Sequence, residues 1–339
     1  MNLDLLSEAQ LSLLGETIGR SQHIVICCHR NPDGDAIGSS LAWAAFLRSV
    51  GKEPFIAVPD AVPDFLRWLP GTERIVRHDK HADKVAEAFD KADLVFCLDF
   101  NRADRTGAMS TLLAACTADK VLIDHHPEPE IDSVVTVSHP ELSSTSEIVF
   151  RIVWQMGGFE AMTTKGATPV YCGMMTDTGA FTYNSNYPEV FFIISQLLTK
   201  HVDKDRIYRC VYNNYSEWRL RLVGYVLYQK LNVIADRKAA YFCLTRSDLR
   251  RFHFMKGDAE GLVNMPLQIK GLRLSISLRE DTERDNLVWV SLRSVGDLSC
   301  TALAEKYFSG GGHLNASGGR LECSMEEAER IVRRAIAEG

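Results

Sequence analysis

HIVICCHRNPDGDAIGSS, residues 23–40, decides how the chain is read. Ile24–Cys28 is a short apolar run rich in β-branched residues, the pattern of a buried strand. His29, Asp33 and Asp35 follow at once, and from residue 35 to 50 the apolar spacing becomes helical. A strand that runs through a polar turn straight into a helix is half of a βαβ unit. Taken alone, Pro32-Asp33-Gly34 is ordinary turn chemistry, and an acid before a helix is an ordinary cap. Weight comes from recurrence of the pattern further along.

Working outward, PFIAVP (54–59), LVFCL (94–98), VLI (121–123) and VVTV (134–137) read as further strands. Helical spacing covers 3–20, 83–92 and 109–116 between them. The alternation predicts an α/β fold with a parallel, doubly wound sheet. Helices are expected at 145–156, 165–176 and 188–201, then a long amphipathic stretch over 205–230. Beyond it, LNVIA (231–235), AAYFCLT (239–245), LRLSISLRE (272–280) and LVWVSLRS (287–294) are strands, with a hairpin turn at ERDN (283–286). Helices at 299–307 and 325–337 complete a smaller α/β domain with a mixed or antiparallel sheet. The expected division is a catalytic domain over 1–200, a helical connector over 201–230 and a second domain over 231–339.

The 339 residues carry 38 Lys+Arg against 44 Asp+Glu, a net charge of −6. With 46% hydrophobic and 24% charged residues the chain is an ordinary globular protein, neither disordered nor fibrous. The mean hides an asymmetry: residues 1–199 are net −11 and residues 200–339 net +5. That balance argues against a partner such as long duplex nucleic acid, but not against a short anion. The opening MNLDLLSEAQ lacks a basic, apolar leader, and no apolar run approaches the ~18–20 residues of a membrane span. Nine scattered cysteines without a C-x-x-C pair fit buried thiols in a cytoplasmic setting better than a disulfide framework. No membrane partner is expected.

Metal-ligand residue types cluster after the strands. His29, Asp33 and Asp35 follow the first, Asp99 follows LVFCL, and Asp124-His125-His126 follow VLI; Asp177 stands in GMMTDTGAF. Ligands in an open parallel sheet gather at the carboxyl ends of strands, so these segments are expected to share one crevice. So many buried carboxylates need cations. Oxygen and imidazole donors suit manganese well and magnesium less well, and there are enough for two metals.

His29-x-Asn31-Pro32-Asp33-Gly34-Asp35, Asp99, Asp124-His125-His126 and Thr176-Asp177-Thr178-Gly179 resemble the four motifs of the DHH phosphoesterases. Ser309-Gly310-Gly311-Gly312-His313 with Asn315-Ala316-Ser317-Gly318-Gly319 resembles the hallmark of their DHHA1 domain, with Ser309 where a further glycine is usual. The pairing is similar to the branch of bifunctional oligoribonucleases and pAp phosphatases. The resemblance implies two divalent cations, manganese first, with magnesium or cobalt as alternatives. His29, Asp33 and Asp99 would hold one; Asp35, Asp99, His125 and Asp177 the other. His126 would face the scissile phosphate beside the bridging Asp99, and Asp124 would support the histidines from behind. A metal-bound hydroxide would attack phosphorus in line.

The second domain implies a ruler for short substrates. Gly310, Gly311 and Gly312 could form an anion nest. Arg279, Arg293, Ser294, His313 and Asn315 would complete a grip on a terminal phosphate. Ser143-Ser144-Thr145-Ser146-Glu147 reads first as a helix N-cap, with a phosphate contact as the alternative. The expected substrates are RNAs of a few nucleotides, pApA and 3′-phosphoadenosine 5′-phosphate (pAp). Rival readings are an exopolyphosphatase, a cyclic-dinucleotide phosphodiesterase and a non-catalytic nucleotide sensor. The helices over 188–230 could support a homodimer.

Overall fold

The computed structural model describes residues 3–255 and 257–338. They form two compact units, one ending at Asn214 and the other beginning at Tyr215. The stretch expected to connect two domains is therefore shared between them.

The first unit opens with α1 (Glu8–Arg20), β1 (Ile24–Cys27), α2 (Gly34–Ser49), β2 (Phe55–Val58) and β3 (Ile75–Arg77). It continues through α3 (Ala82–Lys91), β4 (Leu94–Leu98), α4 (Ser110–Ala115), β5 (Asp119–Asp124) and β6 (Val135–Ser138). Four helices close it: α5 (Thr145–Gln155), α6 (Thr164–Asp177), α7 (Pro188–Thr199) and α8 (Lys204–Tyr212). All strand pairs are parallel, in the order β3-β2-β1-β4-β5-β6. Ile24, Ile26 and Phe96 pack on one face, and Val25, Cys27, Val95 and Cys97 on the other. Burial on both faces is why these strands read as continuous apolar runs. From β1 the chain builds outward to β3, then returns to lay β4 on β1's other side. The β1–β4 boundary is thus the switch point, where an open α/β sheet leaves a crevice beyond its carboxyl ends.

Helix α2 is buried along most of its length and packs against α5 and α6. Glycine permits that approach: a Cβ on Gly38 would lie 2.6 Å from the Pro169 carbonyl oxygen. Strand β3 has no counterpart in the sequence reading, because three half-buried residues carry no period.

The second unit contains α9 (Glu217–Tyr225), β7 (Asn232–Ile234), β8 (Ala239–Leu244), α10 (Arg246–Arg251), β9 (Leu274–Glu280) and β10 (Val288–Ser294). It ends with α11 (Cys300–Tyr307), β11 (Gly311–His313), β12 (Ala316–Leu321) and α12 (Met325–Glu338). Its sheet runs β11-β12-β10-β9-β8-β7, antiparallel except for β8 beside β9. Helices α11 and α12 cover one face through Leu303, Val332 and Ile336. The amphipathic stretch 205–230 is broken rather than continuous. Helix α8 stops at Tyr212, Ser216 caps α9 by accepting from Arg219 N at 3.0 Å, and Val226–Lys230 is a π-turn. All nine cysteines are unpaired thiols. Among the described residues no helix is long and apolar enough to cross a membrane.

Candidate metal centre

Strand β1 delivers His29, and the start of α2 delivers Asp33 and Asp35. Asp33 caps α2: its Oδ1 accepts from Asp35 N at 3.0 Å and Ala36 N at 3.1 Å. The cap and the ligand readings of this residue coexist, because Oδ2 stands 3.8 Å from His29 Nε2. Strand β4 delivers Asp99, whose Oδ2 is 3.4 Å from the same nitrogen. Strand β5 delivers His125, with Nε2 3.6 Å from Asp99 Oδ1 and 3.5 Å from Asp177 Oδ2 at the end of α6. Three overlapping sets arise: His29, Asp33 and Asp99; Asp99, His125 and His126; Asp35, His125 and Asp177. Donor atoms within each set lie within 4.8 Å of one another. Asp99 belongs to two of the sets and is bonded by Thr145 Oγ1 at 3.0 Å. It adopts a left-handed φ of 65°, a strained backbone of the kind found where surroundings over-determine a site.

Whether these residues suit a metal follows from the hydrogen bonds behind them. His29 Nδ1 lies 2.8 Å from the Arg30 carbonyl oxygen, so it must carry the proton and donate. The neutral ring then turns an Nε2 lone pair toward two carboxylate oxygens. Acceptors face each other across the gap, an arrangement that needs a proton or a cation between them. His126 Nδ1 meets Asp124 Oδ1 at 2.8 Å, the carboxylate–histidine pairing that orients metal-site imidazoles. Asp124 is wholly buried, and its Oδ2 has no hydrogen-bond partner among the described residues.

The electrostatics point the same way. Burial, with Asp99 and Asp177 nearby, pushes the Asp35 carboxyl well above the usual range. Burial also raises Asp177, to about 7, with His125 opposing and Asp99 and Asp33 reinforcing. Burial works against the charged forms of His125, His29 and Asp99, but here opposite charges win. Asp99 and Asp177 lead in raising His125 to about 9. Hydrogen bonds to Asp33 and Asp99 carry His29 well above the histidine range, and His29 pulls Asp99 below the carboxylate range. Crowded carboxylates holding protons and imidazoles held as cations are what a site built for divalent cations shows when protons must do their work. The cluster fits a metal.

The 143–147 segment does more than cap. Ser144 Oγ accepts from Glu147 N at 3.0 Å, as the sequence suggests. The free amides of the next two residues take a carboxylate rather than a phosphate: Thr145 N donates to Asp35 Oδ2 at 2.6 Å and Ser146 N to Asp35 Oδ1 at 2.8 Å. Behind them Glu147 accepts from Ser143 Oγ at 2.6 Å and from Arg151 Nε at 2.9 Å. Gly173 lets α6 pass close by, since a Cβ there would fall 1.9 Å from Ser146 Oγ and 2.9 Å from Asp35 Oδ1. Thr145 and Ser146 were read from the sequence only as part of a cap, and Gly173 was not singled out. The Ser-Thr cap signal was visible; what its amides bind was not.

The second unit places its expected residues in two groups. Across the sheet, His313 pairs with Ala316, Ala316 with Arg293 and Arg293 with Ser275. Residues directly opposite share a face, so Arg293 and His313 project together two strands apart, about 10 Å. Ser294 and Asn315 brace the following loop: Asn315 Nδ2 donates to Ser294 Oγ at 2.8 Å and to the Gly296 carbonyl at 2.9 Å. Arg279 lies further along the sheet. It pairs with Trp289, four residues along β10 from Arg293, because the carboxyl ends of antiparallel neighbours lie at opposite ends of the sheet. That spacing is roughly 13 Å. The glycine run is part of the sheet: Gly311 and Gly312 belong to an edge strand paired with β12, and Gly310 N donates to Ala304 O at 3.2 Å. Their lack of Cβ serves close approach: a Cβ on Gly310 would lie 1.9 Å from Gly318 O.

Comparison with known proteins agrees in kind. The model of the DHH family, N-terminal domain, matches residues 23–174. A protein named bifunctional oligoribonuclease and PAP phosphatase NrnA, from Thermus thermophilus, is 30% identical over 93% of this chain and 89% of its own length. The Bacillus subtilis protein of the same name is 25% identical over 93% and 94%. A cyclic-di-AMP phosphodiesterase GdpP from Geobacillus thermodenitrificans is 26% identical over 95% of this chain but 48% of its own. Among solved structures, an exopolyphosphatase-related protein from Bacteroides fragilis is 48% identical, with a TM-score of 0.96 over 99% of this chain and 97% of that one.

Proposed function

Because the chain belongs to the DHH family and is a phosphoesterase, we propose that it hydrolyses short oligoribonucleotides, pApA and pAp at a two-manganese centre. The observation that carries this is the convergence of His29, Asp33, Asp35, Asp99, His125 and Asp177 beyond the carboxyl ends of β1, β4 and β5. His29, Asp33 and Asp99 would hold one ion, and Asp35, Asp99, His125 and Asp177 the other, with Asp99 shared. Bound there, the ions would supply an activated water and charge neutralisation at phosphorus. The amides of Thr145 and Ser146 fix Asp35, and Thr145 Oγ1 fixes Asp99. With Nδ1 committed to Asp124, Nε2 is the atom through which His126 would meet a phosphoryl oxygen. Arg293 and His313 share a sheet face and suit recognition of a further phosphate. The unpaired thiols support a reducing, cytoplasmic setting.

The GdpP relative and the exopolyphosphatase-related structure favour two other substrates, cyclic di-AMP and polyphosphate. One panel separates the readings: Mn²⁺-dependent turnover of pAp, pApA, RNAs of two to five nucleotides, cyclic di-AMP and polyphosphate. Preferred turnover of pAp and the short RNAs is expected, with loss of activity in Asp99→Ala and His125→Ala. Turnover of polyphosphate alone, or full activity in either variant, refutes the proposal.

A further inference from the structure

At the sheet end where Arg279 lies, the second unit has a cavity of about 170 Å³. It is lined by Arg246, Leu249, Arg250, His253, Phe254 and Thr282. Two guanidinium groups, an imidazole and a phenyl ring thus face one small volume without a carboxylate among them. Arg279 adds a third guanidinium, 5.3 Å over the Phe254 ring. Trp218, 42% exposed, packs on His253 with ring centroids 4.5 Å apart.

The neighbouring acids are already engaged. Asp285 and Glu280 both bond Arg246, through Nη1 and backbone N. Asp281 accepts from Glu283 N, Arg284 N and Trp289 Nε1. Asp248 holds Tyr225 and Lys230. The side chains of Arg250 and Arg279 have neither a hydrogen bond nor an ion pair with a described residue. Asp281 attracts Arg279 from a distance and Asp285 pairs with Arg246, so guanidinium N–H groups of Arg250 and Arg279 remain available beside aromatic faces. Guanidinium groups with flat aromatic surface are the combination that holds phosphate and base together.

We propose that this cavity is a nucleotide-binding site, at the other end of the sheet face that carries Arg293, which takes a nucleoside monophosphate. Arg250 and Arg279 bind its phosphate, and the Trp218–His253 pair and Phe254 offer surface for stacking its base. The site needs no metal and no hydrolysis, so this inference and the proposed function can fail separately.

The test uses the full chain in EDTA, titrated with AMP, adenosine and inorganic phosphate, and reads tryptophan emission and equilibrium dialysis. AMP should quench emission, and the quench should be absent in Trp218→Phe. AMP should bind at least tenfold more tightly than adenosine or phosphate. Arg250→Glu should weaken the quenching phase at least tenfold, and His253→Ala should weaken it while phosphate binding persists. Arg250 is exposed and its side chain bonds no described residue, so its replacement should leave the fold intact, and Mn²⁺-dependent turnover of a nitrophenyl phosphodiester should be unchanged. Equal affinity for AMP and phosphate would reduce the cavity to an anion site and overturn the proposal. So would a quench that survives Arg250→Glu or Trp218→Phe.

Discussion

Asp177→Asn is expected to stabilise the metal-free protein while destroying its response to metal. Asp177 ends α6, half-buried, with Asp35 and Asp99 in the same cluster. Burial pushes its carboxyl from 3.8 to about 7. At about 1.4 kcal/mol per pKa unit, ionised Asp177 costs the metal-free fold about 4 kcal/mol above pH 7. The sign follows from the raised pKa. The folded state holds a proton that the unfolded chain has released, so stability is greatest below pH 4 for this group and is lost as pH rises through about 7. Asparagine has no charge to bury. In EDTA at pH 8, the variant's first unit should melt higher by roughly 8–16 °C, taking about 2–4 °C per kcal/mol for a unit of this size. The gain should shrink to nothing by pH 4. With Mn²⁺ added the order should reverse, because the wild type gains a cation that the variant holds poorly. The assay is thermal denaturation by circular dichroism at pH 4, 6 and 8, with EDTA and with Mn²⁺. A variant less stable than wild type in EDTA at pH 8, or a gain independent of pH, would refute this account of the centre.

Thr145→Val removes the hydroxyl bonded to Asp99 but keeps the amide bonded to Asp35. Mn²⁺ affinity by calorimetry should fall about 10–100-fold, the usual effect of losing such a supporting bond, with little change in melting temperature. Gly173→Ala places a methyl against Ser146 and Asp35 and should cost about 1–3 kcal/mol in urea denaturation, together with metal affinity. Ser309 has φ +47°, where glycine is unstrained, so Ser309→Gly should raise stability by about 1 kcal/mol. Asp281 is held down to about 2, chiefly by backbone donation from Arg284 and then by Trp289 and Glu283. Its contribution is present above the unfolded value near 4 and lost as pH falls through about 2. Asp281→Asn should therefore lower the urea midpoint at pH 7 but match wild type at pH 2.

Much of this was legible because parallel strands buried on both faces are short apolar runs. Ile24–Cys27, Leu94–Leu98 and Val121–Ile123 could hardly be anything else, and each ends where polar residues begin. The glycine-rich strands were not legible. Gly311–His313 and Ala316–Leu321 lack apolar alternation, and their pairing rests on backbones that only glycine lets approach. The role of Thr145 and Ser146 was hidden for a different reason. Bonds donated by backbone amides leave no mark on residue identity, so a cap motif says that amides are free without saying what they bind. Arg279 and Arg293 were grouped because both close their strands, although the hairpin between those strands sets the two arginines about 13 Å apart.

The same contrast explains the charge asymmetry. A net −11 over the first 199 residues looks like ordinary solvated acidity, yet Asp35, Asp99 and Asp124 are almost wholly buried. A fold gains nothing from placing these acids together: Asp35 and Asp177 are driven toward protonation, Asp99 sits in left-handed backbone, and one Asp124 oxygen has no hydrogen-bond partner among the described residues. Two features show that the cluster is nonetheless built. The helix α5 amides and the Asp124–His126 pair hold individual side chains by directed bonds, and the switch point between β1 and β4 supplies the crevice. Strain and repulsion that the surrounding structure maintains so specifically make sense if the stable partner of this unit is the cation-loaded centre. Metal affinity and fold stability should then change together in every variant that touches it.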